Sequence, residues 1–277
     1  MIHSFQALIA SIKGEKPKRL AIVNPKQKYL FELINDAEKM GWIEPVIYQN
    51  DSPEEAAKSA VIDTANGEND FLMKGDIKTA TLLKIVLDKS LGLNIDQTLT
   101  HIAVVESPKY HKLMLFTDGG IHPILYPEII HSMIENGLTL CTSFGNLHPN
   151  IALLSLVEKV TDKIPETILA DETVRHFSQD KRMNIEGPIA LDVALSKMAS
   201  KAKGINSSIA GETDLFVGPS ITTTNFVVKA LMSIGQSKGG GIIIGAKVPI
   251  VLLSRSDSKK SKLHSMALGL NLLKGKT

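Results

Sequence analysis

Residues 247–258 read KVPIVLLSRSDS, an apolar run from Val248 to Leu253 that stops at Ser254, Arg255, Ser256, Asp257 and Ser258. A continuous apolar run, rather than an alternating one, describes a strand covered on both faces, as in parallel sheets flanked by helices. In open α/β sheets ligands bind beyond the carboxyl ends of the strands. A hydroxyl, a guanidinium and a carboxylate at such an end therefore form a candidate site. The plain alternative is a strand that turns polar where it meets water, and one strand alone does not separate the two.

The rest of the chain repeats the pattern. RLAIVN (19–24), PVIYQN (45–50), DFLMKG (70–75), HIAVVES (101–107), KLMLFTD (112–118), NIALLSLV (150–157), LFVGPS (215–220) and GIIIGA (241–246) read as strands. Between them run helical patterns at 27–40, 77–92, 126–145, 189–204 and 225–238. Strand–helix alternation predicts an α/β fold with a mostly parallel sheet. Residues 104–118, VVESPKYHKLMLFTD, break the alternation as a hairpin with a short proline-containing turn, so the sheet is expected to be mixed.

Composition narrows the function classes. A chain of 277 residues, 43% apolar and 22% charged, suits a soluble globular protein of two domains. A formal net charge of +2 and 5% aromatic residues argue against nucleic acid as a partner. No apolar run approaches a membrane span, and the N-terminus reads as a short amphipathic helix. Cys141, the one cysteine, cannot form an internal disulfide; it fits a reducing cytoplasm and reads as an inert buried thiol.

Several strands end in small or polar residues: Met73-Lys74-Gly75, Thr117-Asp118-Gly119-Gly120, Gly218-Pro219-Ser220 and the Ser254-Arg255 break. In parallel strands these ends share one rim, where glycines admit a ligand and Lys74, Lys229 and Arg255 supply positive charge. That suits an anionic, phosphate-bearing substrate. QSKGGGIIIGA (236–246) precedes a strand instead of opening a helix, so it is neither a nucleotide loop nor a dinucleotide fingerprint and reads as a turn. His122, His131 and His148 read as surface or cap residues, with no metal assigned. Ser155 reads as a core hydroxyl.

Together, DFLMKGDIKTATLLKIVLDKSLGL (70–93), LTHIAVVESPKYHKLMLFTDGG (99–120), NLHPNIALLSLVEKVTDKIPET (146–167), EGPIALDVALSKMASKAKGINSSIAGETDLFVGPSI (186–221) and IIIGAKVPIVLLSRSDSKKSKLHSMAL (242–268) resemble the phosphate acetyl/butyryltransferase family, nearest its butyryl branch. The resemblance implies reversible transfer of a short acyl group, butyryl or acetyl, between coenzyme A and inorganic phosphate, with no tightly bound cofactor. It implies a two-domain α/β/α sandwich of the isocitrate/isopropylmalate dehydrogenase-like type, with an interdomain cleft. By analogy the first domain takes 1–121 plus 254–277 and the second 122–253, with crossings near Ile121 and Ser254. A homodimer or higher oligomer is implied as well.

Carried over by position, Arg255 would hold phosphate through its planar fork, and Ser254 would donate to the oxygen that gains charge in the transition state. The coenzyme A thiol is the nucleophile, and Asp118 and Asp257 are both candidates to orient or deprotonate it. Lys74, Gly75, Thr117, Ser220, Asn225 and Lys229 are the candidate substrate-binding residues. Asn225 also reads as a helix cap, Ser254 as a strand terminator or helix cap, and Asp192 as a structural residue at a helix terminus. The chain departs from the family pattern at Thr224, Val228, Ser233 and Ser261, and Gly119-Gly120 stand where the family has alanines. Two other readings accompany this one: a catalytically impaired homologue that binds coenzyme A or acyl phosphate, and a metal- and nicotinamide-dependent dehydrogenase of the same architecture.

Overall fold

The computed structural model describes residues 1–252 and 257–274. The chain forms two compact units: a terminal unit of Phe5–Leu99 with the chain from Gly239 on, and a central unit of Met1–Ser4 with Thr100–Lys238. The terminal unit opens with α1 (Phe5–Ser11), β1 (Lys18–Val23), α2 (Lys28–Lys39), β2 (Ile43–Tyr48), α3 (Pro53–Ala65), β3 (Phe71–Lys74) and α4 (Thr79–Val86). The central unit follows with β4 (Thr100–Glu106), β5 (Met114–Thr117), α5 (Pro127–Ser143), β6 (Asn150–Leu154), α6 (Pro165–His176) and β7 (Asn184–Ile189). It continues through α7 (Leu191–Leu195), α8 (Lys197–Ala202), β8 (Leu215–Val217) and α9 (Ile221–Ser233). The chain closes with β9 (Lys238–Ile244), β10 (Ile250–Val251) and α10 (Lys259–Leu272).

Local sequence explains these elements. Leu20, Ala21, Ile22 and Val23 are all buried in β1, as a strand sandwiched between helices requires. α2 buries Leu30, Leu33, Ile34 and Ala37, one stripe at helical spacing. α3 starts where the Ser52 side chain accepts from Glu55 N, with Pro53 in the first turn and Glu54 and Glu55 at the positive end of the helix dipole.

In the terminal unit the strand order is β2-β1-β3-β10-β9. β1 is parallel to β2 and β3, β3 is parallel to β10, and only β9 runs antiparallel. Val23 pairs with Lys74 and Met73 with Val251, so the carboxyl ends of β1, β3 and β10 share an edge. In the central unit the order is β4-β5-β8-β6-β7. β4 and β5 form the antiparallel hairpin, and the remaining pairs are parallel. The fold is α/β with mostly parallel, mixed sheet.

Three expectations change. The units divide at Leu99–Thr100 and Lys238–Gly239 rather than near Ile121 and Ser254. Pairing of β5 with β8 draws the hairpin into the central unit, and pairing of β10 with β3 draws β9 and β10 into the terminal one. The helix expected over 189–204 is the end of β7 followed by two short helices, separated by the extended backbone of Ser196. β7 hides in sequence because Asn184, Glu186, Gly187 and Pro188 weaken its strand signal; as an outermost strand of the unit it tolerates them. Gly239-Gly240-Gly241 is no turn but the start of β9. A side chain at Gly240 would press on His264 Cβ and Ser265 N at 3.0 and 3.1 Å, so the glycines admit α10 at close range.

That helix is buried almost all round from Ser261 to Leu272, and its polar side chains are accounted for by bonds. Ser265 Oγ accepts from Gly241 N at 2.9 Å and donates to Ser261 O. His264 Nδ1 lies 3.1 Å from Gly239 O while its ring stacks on Phe5.

One buried ion pair ties the amino ends of the central strands. Lys112 Nζ lies 2.7 Å from Asp214 Oδ1, with side chains 10% and 9% exposed. Asp214 Oδ2 accepts from Asn150 N at 2.8 Å. These residues precede or open β5, β8 and β6. Replacing Lys112 by Met leaves Asp214 buried and unpaired, which costs about 3 kcal/mol. A clearly lower urea midpoint for Lys112→Met with native far-ultraviolet circular dichroism is the expected outcome; an unchanged midpoint contradicts this assignment.

Candidate functional site

In the central unit the rim is built by β5 and β8. Thr117 pairs with Val217, and Gly218 N donates to Thr117 O at 2.8 Å, so the loops that follow both strands leave the sheet side by side. Phe116 stacks on Phe216 with ring centroids 4.7 Å apart, locking this register from within the core. The Thr117–Asp118 peptide bond is cis. Asp118 is 1% exposed. Its Oδ1 accepts from Gly120 N at 2.6 Å and Ile121 N at 3.0 Å, pinning the carboxylate in a tight turn. Its Oδ2 has no hydrogen-bond partner among the described residues, and His122 Nε2 stands 3.9 Å away. Here is a buried carboxylate held by one oxygen, with no hydrogen bond to the other among the described residues.

The rest of the rim explains two departures from the family pattern. A side chain on Gly218 would run into Thr224 Oγ1, so the absence of one makes room for the threonine. A Cβ on Gly120 would meet His101 Cγ at 3.2 Å and His101 Cβ and Nδ1 at 3.4 Å, so His101 fills the space beside this glycine. Asn225 Nδ2 donates to Gly119 O at 3.0 Å and clamps the Asp118 turn to α9. Lys229, exposed one turn further along α9, shares that helix face. Ser220, expected to bind substrate, has its hydroxyl engaged as the cap of α9, accepting from Thr223 N.

In the terminal unit, Lys74 Nζ donates to Ile77 O at 3.0 Å and to Gly75 O, organising the loop after β3. A side chain at Gly75 would collide with Val23 O, so only glycine lets this loop cross the end of β1. Asp257 lies just ahead of α10, whose cap is Ser258. Lys262, 4% exposed, donates to the Asp257 carbonyl and lies 4.7 Å from the Tyr29 ring centre. Burial holds its ammonium below the usual lysine range, and the Asp257 charge opposes that shift. Ser254 and Arg255 lie outside the described residues.

The sequence did not single out Asn24, His101 or, as a functional residue, Ser155. Asn24 is fully buried at the end of β1 with φ +49°, and neither atom of its amide has a hydrogen-bond partner among the described residues. The hydroxyls of Ser155 and Thr117 are buried without partners in the same way. These groups sit at the carboxyl end of β1 in the terminal unit and of β6 and β5 in the central unit, and buried polar groups without partners are rare in folded proteins. The asparagine–proline pair after an apolar strand was the one signal for Asn24; nothing marked Ser155. Cys141 is buried, which pushes its thiol pKa well up and suits an inert core residue. Asp192 pairs with Lys203 at 2.8 Å at the start of α7. Among the described residues no three His, Cys, Asp or Glu side chains gather as a metal site, and no helix is long and apolar enough to cross a membrane.

The family model described as "Phosphate acetyl/butaryl transferase" matches residues 22–270. The chain is 32% identical to a phosphate butyryltransferase of Clostridium acetobutylicum, with 97% of both chains covered. It is 33% identical to a phosphate acetyltransferase of Thermotoga maritima, covering 95% of this chain and 97% of that one. The crystal structure of a branched-chain phosphotransacylase from Enterococcus faecalis superposes with a TM-score of 0.85 at 32% identity, over 93% of this chain and 99% of that one. In fold alone, a 4-hydroxythreonine-4-phosphate dehydrogenase from Klebsiella pneumoniae is similar, with a TM-score of 0.54 at 12% identity over 96% of this chain and 87% of that one.

Contact between Gly120 and His101 yields a double-mutant test. Gly120→Ala forces the imidazole or the Asp118 turn to shift and lowers stability by about 1–2 kcal/mol, as overpacking does. Adding His101→Ala recovers most of that loss. Additive losses in thermal melting would show that the two residues do not share this space.

Proposed function

The chain belongs to the phosphate acetyl/butyryl transferase family, and from that premise we propose roles for its residues. The protein is an acyltransferase that moves a short acyl group reversibly between coenzyme A and inorganic phosphate. Toward acyl phosphate, a phosphate oxygen attacks the thioester carbonyl carbon, the C–S bond breaks, and the departing thiolate takes up a proton. In reverse, the thiol gives up that proton, sulfur attacks the acyl phosphate, and the C–O bond to phosphate breaks. No covalent acyl-enzyme is required, because both reactants are bound together.

Asp118 is the structural observation that supports this chemistry most directly. Two backbone amides fix one carboxylate oxygen, while the other accepts no hydrogen bond among the described residues and is free to receive the thiol proton. Of the two candidate bases, the nearly water-excluded Asp118 is preferred over the more exposed Asp257. Thr117 offers a buried hydroxyl beside it, and Asn225 holds the turn in place. Lys74 and Lys229 contribute positive charge for a phosphate-bearing substrate. By resemblance, Arg255 holds phosphate and Ser254 donates to the developing oxyanion. The machinery needs no tightly bound cofactor, and a reducing cytoplasm suits its lone buried thiol.

The test is phosphate-dependent release of thiol from butyryl- and acetyl-coenzyme A. Asp118→Asn keeps an oxygen for the Gly120 and Ile121 amides but removes the proton acceptor. Turnover is expected to fall about 100- to 10,000-fold with substrate KM values changed little. Near-normal turnover moves the base role to Asp257. Arg255→Gln should raise the phosphate KM about tenfold or more, leaving coenzyme A affinity nearly intact.

Self-association as a homodimer or higher oligomer completes the proposal, and exposed apolar side chains of the central unit such as Met198 and Phe226 provide material for an interface. A solution molar mass near the single-chain 30.1 kDa would sink this part.

A further inference from the structure

Thr117, Val217 and Leu153 stand in a row across the central sheet. Thr117 pairs with Val217 and Val217 with Leu153, all in parallel register, so their side chains share one face. On the other face Phe116, Phe216 and Ala152 pack with Val228 into the core. Over the Val217–Leu153 part of the row lies a hollow, walled by Leu125 and Ile130 on one side and by Leu169 and Ala170 of α6 on the other. Gly218 and Pro219, at the carboxyl end of β8, and Leu154 complete the apolar lining. Among the described residues, Glu166 is the one charged residue on its wall.

Apolar lining here adjoins polar groups that have no partners. The Thr117 hydroxyl stands at one end of the row, and the Ser155 hydroxyl lies two residues beyond Leu153; both are buried and unbonded among the described residues. A matching ligand has a polar head beside Thr117 and a short apolar tail over Val217 and Leu153. We propose that this hollow is the subsite for the acyl chain, which its apolar lining favours in uncharged form. The inference rests on the acyltransferase reading above and names the part of the protein that selects among acyl groups. Ala170, the smallest side chain on the α6 wall, limits how deeply a chain can enter. The Glu166 carboxylate repels an acyl chain that carries a second carboxylate at its end.

Two variants move the boundary in opposite directions. Ala170→Leu fills the hollow, and Leu169→Ala widens it. With acetyl-, butyryl- and hexanoyl-coenzyme A as probes, the readout is kcat/KM for phosphate-dependent thiol release. Ala170→Leu is expected to lower the butyryl-to-acetyl ratio about tenfold or more, the size of effect that one or two methylenes produce in an apolar pocket. Leu169→Ala should raise hexanoyl relative to butyryl. Thermal melting confirms that each variant folds; if Ala170→Leu does not, Leu169→Ala decides alone. An unchanged chain-length profile in folded variants overturns the subsite, and so does an equal loss on every chain length. A changed solution molar mass with an unchanged profile also overturns it, in favour of a surface covered by a second copy. A wild type that releases no thiol from any of these substrates fails at the acyltransferase reading and takes the subsite with it; an active wild type with unshifted variants fails the subsite alone.

Discussion

Parallel pairing of β5 with β8 is the constraint on which the central rim depends. Because Thr117 lies opposite Val217, the Asp118 turn and the Gly218–Ser220 turn emerge together, and α9 starts within reach of both. A slip of β5 by one residue would turn Thr117 to the opposite face and exchange it with Phe116, out of line with Val217. The stacked phenyl rings and the buried Lys112–Asp214 pair oppose that slip from the core and from the amino edge. Strand register thus sets the chemistry before any functional group is considered.

At this rim, glycine and bulk are exchanged in pairs. Thr224 fits because Gly218 has no side chain, and His101 fits because Gly120 has none. Changes that look damaging when read one position at a time become a repacked version of the same turn. The carboxylate they surround keeps its two backbone donors, so the repacking leaves its anchoring intact. The terminal unit uses glycine similarly, at Gly75 where a loop crosses β1 and at Gly240 where β9 meets α10.

Direct acyl transfer between two bound substrates asks little covalent chemistry of a protein. It needs an anion held in place, a thiol oriented and relieved of its proton, and an oxyanion met by a donor. Such demands favour polar groups left without internal partners, a condition that folding normally removes. Among the described residues, Asn24, Thr117, Asp118 and Ser155 retain such atoms at strand ends. Their burial costs stability, which the core beneath them offsets.

Sequence by itself determined the fold class, because continuous apolar strands alternating with amphipathic helices have few other solutions. It also marked Lys74, Gly75, Thr117 and Asp118 as strand-end residues, since polar and small residues there follow continuous apolar runs. Only the tertiary structure decided the rest. β7 is a strand because it lies at the border of its unit, where Gly187 and Pro188 cost little. The 239–241 glycines serve helix packing because α10 returns to them from over twenty residues away in the chain. Unit boundaries follow from which strands pair, and pairing between segments a hundred residues apart leaves no local trace. The row Thr117–Val217–Leu153 joins three strands far apart in sequence, and its meaning exists only after they are aligned. Local pattern reports how much of a segment is buried; which segments bury one another is settled by the whole chain.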